Sequence, residues 1–295
     1  MGYVISIVNM KGGVGKTTLT VNLAASLVKD YGMRVLVVDL DMQVNATLSL
    51  MPPLQFAKLK QDNRTLKQLI SQVFKPDNDS PLSLKQVIVP NICQMSGFDL
   101  LPGDIELYND FLLAALIYSH ASKNQLEFEK SWNNLEDYLL KSIIQPIIQD
   151  YDFILLDFPP GDYLLTRSGI IASDFYLIPA RPEPLSVVGM GILEGHINQL
   201  REKNRSKIGL IGIVFSSLGH STNMALQVKS RVAAEFGEEQ VFNIEIPMNV
   251  AIAKAVDEFK PVLLTEPRST GAKAFTELAK EFLEKFSKIA NKKSN

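Results

Sequence analysis

The sequence predicts an α/β protein, built as a doubly wound, mostly parallel twisted sheet with helices on both faces. Three observations carry this. Apolar runs rich in β-branched residues recur along the chain, near-continuous rather than alternating, as strands covered on both faces read. Helical periods lie between most of them. A glycine-rich turn joins the first run to the first helical period.

The predicted strands are YVISIVN (3–9), RVLVVDL (34–40), DFILLDF (152–158), DFYLIPA (174–180), IGLIGIVF (208–215) and VFNIEI (241–246). Helical spacing covers Thr17–Asp30, Pro184–Lys203, Asn223–Phe236 and Gly271–Ala290. Between the second and third strands runs a long excursion, residues 41 to about 151. It holds turn-rich stretches at 75–81 and 119–125, a helix at 63–74, and short strands near 85–89 and 98–101. Helical spacing returns at Ile105–Ile117 and Trp132–Gln149, with Pro146 kinking or ending the latter. No repeat or low-complexity tract is present, so the expectation is one domain, 1–295, elaborated around 51–135.

Composition narrows the function classes. At 46% hydrophobic and 21% charged residues this is an ordinary globular composition. A formal charge of −2 and a pI near 6.0 give no global attraction to nucleic acid or membrane, so such contact needs a local basic patch. The single cysteine, Cys93, excludes an intrachain disulfide and a cysteine-rich metal site. No stretch approaches the ~18 apolar residues of a membrane span, and the first apolar run lacks a basic leader. The expected location is cytoplasmic. His120, His196 and His220 share no metal-ligand spacing, and Trp132 reads as core.

The stretch IVNMKGGVGKTTLT (7–20) carries the chemistry. A strand, a glycine-rich turn and a helix beginning near Lys16 form the context of a phosphate loop. Gly12, Gly13 and Gly15, with Val14 among them, let backbone N–H groups converge on phosphate oxygens at a helix N-terminus. Lys16 is placed to reach the β- and γ-phosphates and the Thr17 hydroxyl to ligate Mg²⁺, with Thr18 beside it. The first glycine of the usual pattern is missing, and Met10 stands there, followed by Lys11. Spacing alone leaves Lys11 either a solvated surface lysine or a functional one.

KGGVGKTT (11–18) resembles the deviant Walker A motif, K-G-G-x-G-K-[ST]-[ST], of the ParA/MinD family of P-loop ATPases. The resemblance runs nearly end to end. It implies ATP and Mg²⁺ as ligands, slow and partner-stimulated hydrolysis, and a signature lysine, here Lys11. That lysine would contact phosphates held by the other subunit of a sandwich homodimer. A cation supplied in trans is worth roughly 10³–10⁵-fold in rate in other phosphoryl-transfer systems.

VLVVDLDMQVNATLSL (35–50) resembles the family's switch I segment, D-x-D-P-Q-G-N-A-T, with Met42 for proline and Val44 for glycine. Asp41 matches the aspartate that orients the attacking water, and Asp39 the one supporting the metal shell; a turn-capping carboxylate is the other reading of Asp39. FILLDFPPGDYLLTRSGIIASD (153–174) resembles the Walker B strand and switch II, with Asp157 as metal carboxylate and Phe158 for threonine. Residues 244–286 follow the C-terminal pattern, which makes Pro247 and Met248 adenine neighbours.

Branches of the family separate by residues. One cysteine removes the iron–sulfur members, and the ending NKKSN lacks the tyrosine-rich tail of the bacterial tyrosine kinases. A MinD-like membrane ATPase needs an amphipathic segment beyond the last folded helix. Here Phe275, Leu278, Ala279, Phe282, Phe286, Ile289 and Ala290 form one stripe, but on the helix expected to close the domain. ParA-type partition proteins bind non-specific DNA through basic residues. The candidates are Arg201, Lys203, Arg205, Lys207, Lys229 and Arg231, extended by Lys280, Lys285, Lys288, Lys292 and Lys293. No helix–turn–helix precedes the loop, as in the short ParA type.

The expected function is a partition ATPase that dimerises on ATP, holds nucleoid DNA and positions a plasmid, chromosome or protein assembly. A ParB-like or cargo-adaptor protein would stimulate its hydrolysis. The alternatives are a MinD-like membrane regulator and a monomeric P-loop metabolite enzyme.

Overall fold

Six parallel strands form one sheet in the order β3-β2-β4-β1-β5-β6. The computed structural model describes residues 2–74, 82–107, 125–217, 219 and 222–294. In chain order these hold β1 (Tyr3–Ile7), α1 (Lys16–Tyr31), β2 (Val35–Asp39), α2 (Asn45–Leu50), α3 (Pro53–Gln61), α4 (Leu66–Phe74), α5 (Leu84–Val87) and β3 (Phe98–Leu101). There follow α6 (Gln125–Ile144), β4 (Phe153–Asp157), α7 (Leu164–Ala172), β5 (Phe175–Ala180), α8 (Pro184–Glu202) and β6 (Gly209–Phe215). The chain closes with α9 (Asn223–Phe236), α10 (Val250–Asp257), α11 (Val262–Thr265) and α12 (Thr270–Ser294).

The strands are buried on both faces, and alternate residues feed two separate cores. Val4, Leu36, Val38, Ile154, Leu156, Tyr176 and Ile178 face α4, α6, α7, α8 and α9. Ile5, Ile7, Val35, Val37, Leu155 and Leu177 face α1, α2, α3, α10, α11 and α12. Phe275, Leu278, Ala279 and Phe282 of α12 lie in the second core, with Phe286 and Ile289 packed against it. The Phe286 ring meets Phe153 edge-on at 5.0 Å. The apolar stripe of α12 is therefore spent on the sheet. No described helix is long and apolar enough to cross a membrane.

Two expected strands differ from the structure. Residues 85–87 of the expected 85–89 strand lie in the helical turn α5, because Ser83 and Gln86 cap each other as a capping box; only Val89 bridges, antiparallel to Leu100. Residues 241–246 pair along β6 only through isolated bridges, Val241 to Ile213 and Ile246 to Ser216. Between them the backbone N–H groups of Asn243 and Ile244 donate to the Glu281 carboxylate of α12, which displaces the ladder. The 98–101 strand is present and lengthens the sheet edge beside β2. Pro146 sits in the first turn of a 3₁₀ segment, Gln145–Asp150, that ends α6. The 75–81 loop and most of the Ile105–Ile117 helix lie outside the described residues, as do His120 and His220.

Phe158, which stands where the resembled family carries threonine, is fully buried against α7. A methyl group on Gly169 of that helix would lie 2.4 Å from the Phe158 ring. Gly169→Ala should destabilise the fold by about 1–3 kcal/mol through overpacking, outweighing the ~1 kcal/mol helix-propensity gain. Urea unfolding measures this, and the penalty should shrink in a Phe158→Leu background, where the struck ring atoms are gone.

Candidate functional site

All strands run parallel, so the loops after β1, β2, β4 and β5 leave at one edge, where ligands bind in open α/β sheets. A cavity of about 670 Å³ opens there. Its floor is residues Gly12 to Leu19, and its walls include Asp41, Pro160, Arg181, Ser216 and Ser217. Pro247 and Met248 lie on its rim together with Asn249, Ile252, Ala253 and Val256 of the α10 region.

The glycine turn is built by backbone conformation. Gly13 and Gly15 have φ of 71° and 90°, and Gly15 is the residue before α1. No side chain caps α1, so its first N–H groups are left for a ligand. The Lys16 ammonium folds back over the turn, donating to the carbonyls of Asn9 (3.2 Å) and Lys11 (3.1 Å). Burial lowers its pKa, against the pull of Asp157 and Asp41. Lys16 is thus a desolvated cation held on neutral carbonyls.

Asp39 and Asp157 are register partners at the ends of β2 and β4, and both are fully buried. Thr17 donates to Asp157 at 2.7 Å and Thr20 at 2.9 Å. Burial, then the Asp39 charge, pushes Asp157 up to about 7. Burial likewise raises Asp39 to about 6. The Asp39 carboxylate accepts from the Asp41 N–H (3.1 Å) and from both the N–H (2.8 Å) and hydroxyl (2.7 Å) of Thr47. It therefore caps the β2–α2 turn and does not line the cavity, while Asp41 does. The Asp41 oxygens accept from the Gln43 N–H and, at 3.2 Å, from the Asn45 amide. Val44 is left-handed, φ 47°, in the position where the family pattern has glycine. Its side chain is 2% exposed, and that burial offsets the strain of a β-branched residue there.

Thr17 and Asp157 supply a hydroxyl and a carboxylate within reach of one ion, a hard-oxygen pair that suits Mg²⁺. Among the described residues no group of three His, Cys, Asp or Glu side chains could hold a metal alone.

Lys11, unlike Lys16, does not line the cavity. Its ammonium pairs with Glu183 Oε2 at 2.5 Å, immediately before α8. This contact holds the Glu183 carboxyl below its ordinary value. Sequence reasoning missed Glu183, and also Asn9, whose amide donates to the Pro179 carbonyl (2.8 Å) and whose oxygen accepts the Lys11 N–H (2.9 Å). A polar residue ending an apolar strand was the available signal for Asn9. Glu183 stands in a glutamate–proline turn ahead of a helical period, but its partner, 172 positions away, is not legible locally.

The basic candidates separate. Lys203, Lys207 and Arg231 are exposed. Arg201 donates to the Ile208 carbonyl at 2.7 Å, and Lys229 pairs with Glu245. Arg205 leaves the set: its side chain is 11% exposed and bound to Asp137, Asn133 and the buried Glu136, which also faces Arg167. A cation neutralised by two carboxylates has little left for a phosphate backbone.

Residues 2–210 match the model of an AAA domain family. Over 281 residues the chain is 31% identical to the sporulation initiation inhibitor protein Soj of Bacillus subtilis, covering 95% of this chain and 98% of Soj. It is 28% identical to the chromosome partitioning protein ParA of Myxococcus xanthus, covering 97% of this chain and 89% of ParA. The fold matches a McdA–ATP complex from Cyanothece with a TM-score of 0.72, covering 96% of each chain, at 19% identity. The chain belongs to this AAA-domain family of ParA/MinD-type ATPases. Its relatives make it a partition or positioning ATPase in the broad sense.

The buried acid pair has a measurable consequence. Unfolded, Asp157 titrates near its ordinary value of 3.8; folded, near 7. Between those values the folded chain holds a proton that the unfolded chain has lost. Stability of the nucleotide-free protein should therefore fall as pH rises from about 4 to about 7 and level off above. Asp157→Asn removes the buried charge. At pH 8 it should raise the nucleotide-free Tm by about 2 °C, roughly the effect of ~1 kcal/mol in a chain this long. The gain should vanish near pH 4, a comparison that thermal melts at both pH values make directly.

Proposed function

We propose that this chain is an ATP-dependent positioning switch that pairs face to face as an ATP sandwich, binds non-specific DNA in that state and is released by hydrolysis. The observation that carries the reading is the division between the two lysines. Lys16 floors the cavity, whereas Lys11 starts from the same loop, does not line it and pairs with Glu183. A cation its own pocket does not use is available to a facing copy. Beside it, Leu185, Val188 and Ile192 of α8 are 68%, 58% and 49% exposed at helical spacing, an apolar face open to a second chain.

In this reading the 295 residues act as one ATPase domain, with 51–135 as elaboration. Gly12, Gly13, Val14 and Gly15 direct N–H groups at the triphosphate, Lys16 leaves its two carbonyls for the β- and γ-phosphates, and Thr18 adds to the cradle. Pro247 and Met248 border the base. Thr17 and Asp157 would hold Mg²⁺, with Asp39 fixing the neighbouring turn; the ion would neutralise charge developing on the phosphates. Asp41, held by the Gln43 N–H and Asn45 amide, is positioned to orient the attacking water. Lys11 of each copy would reach the other's phosphates.

DNA contact falls to the exposed Lys203, Lys207 and Arg231, joined by Arg201 and Lys229. The location is then cytoplasmic and nucleoid-associated, with a ParB-like or cargo-adaptor protein stimulating turnover. The same fold in a McdA–ATP complex and the sequence relation to Soj and ParA support ATP as ligand and partition as role.

Co-sedimentation with DNA or with liposomes at two salt concentrations tests this. Binding to DNA only with ATP, fading with salt, is expected; ATP-dependent liposome binding instead would overturn it. Lys16→Ala should cut nucleotide affinity at least about tenfold, the loss of one charge-assisted contact. Lys11→Ala should leave that affinity within about twofold and abolish the ATP-dependent dimer. Fluorescent-nucleotide titration and sedimentation velocity read the two effects separately.

A further inference from the structure

We propose that Glu183 is an in-chain latch for Lys11, a carboxylate that occupies the lysine in the monomer and must release it before two copies pair. The inference rests on the sandwich reading above and adds to it the group that sets its threshold.

The arm of Lys11 is fixed at its base and loose at its tip. Its backbone N–H is bonded to Asn9 Oδ1, and Asn9 is anchored to the Pro179 carbonyl of β5. Gly189 of α8 packs onto the same turn; a methyl group there would come within 3.3 Å of Asn9 Oδ1 and 3.6 Å of Lys11 Cβ. The ammonium, in contrast, is held by one carboxylate in a pair whose side chains are 26% and 35% exposed. Exposed pairs of this kind are weak and exchangeable.

Glu183 is committed to this contact. It occupies the cap position of the 19-residue helix α8, where a negative charge is favourable but a glutamate side chain is too long to be a preferred cap. Here no side-chain cap bond forms, and the carboxylate reaches Lys11 instead. Arg181 stands 3.8 Å from its other oxygen. An unbridged Glu183 has lost its main cation and, in a sandwich, would sit among phosphates of like charge. Pairing therefore requires a ligand that outcompetes one carboxylate for the lysine. A triphosphate carries several negative charges and qualifies; an empty partner site offers none. The latch raises the threshold for nucleotide-dependent pairing without a steric block.

Sedimentation velocity across a range of protein concentrations, with a non-hydrolysable ATP analogue and Mg²⁺, tests the latch on the full chain. Glu183→Gln should lower the dimer dissociation constant about threefold or more while leaving nucleotide affinity unchanged. Glu183→Ser, which installs a favoured cap residue and so protects the start of α8, should do the same. Both variants should remain monomeric without nucleotide. If both dimerise as weakly as wild type, or more weakly, with nucleotide affinity intact, Glu183 is not a latch, although the sandwich stands. If the wild type forms no nucleotide-dependent dimer at all, the sandwich reading and the latch fall together.

Discussion

The parallel register of β1, β4 and β2 is the constraint on which the rest depends. Ile7 and Asp39 are both register partners of Asp157, so three strands end at one level and release their loops side by side. Two carboxylates consequently lie buried at adjacent strand ends, with the ammonium of Lys16 above them. Burial works against all three charges at once, raising the acids and lowering the lysine. A ligand bringing polyanionic phosphate and a divalent cation would supply Lys16 and Asp157 with partners of opposite charge. An empty site in this state is electrostatically primed, and ligand affinity is drawn in part from that.

Departures from the family pattern are absorbed by local packing. Phe158 fits because Gly169 leaves room under the ring. Val44 holds a left-handed backbone because its side chain is buried in the second core. The β2–α2 turn is tied by Thr47, which donates its hydroxyl to Asp39 and accepts the Gly103 N–H, linking switch I to the loop after β3. The excursion that lengthens the chain is thus bonded to the switch, through a strand that has joined the sheet edge.

Charge placement follows similar economy. The chain has no net basic character, and some of its arginines are paired within the chain, as Arg205 is with Glu136 and Asp137. Exposed cations remain near the α8–β6 turn and on α9. Sequence position grouped Arg205 with them; the buried acid on α6 separates it, and that acid lies 69 positions away.

The sheet, the phosphate loop and the two acids were legible in the amino-acid order because each rests on short-range regularities. These are continuous apolar runs, glycines at fixed offsets and carboxylates at strand ends. The α12 stripe was legible for the same reason, since helical spacing is local. The partners of those residues were not. Residues 241–246 look like a strand until a distant glutamate takes their N–H groups, and residues 85–89 until a serine–glutamine cap bends them. Nor does the order of residues show that Asp39 spends its oxygens on Thr47 or that Lys11 rests on Glu183. Local sequence determines which groups can be charged, bonded or bent; only the folded chain decides which of them meet, because a hydrogen bond or ion pair depends on distance in space.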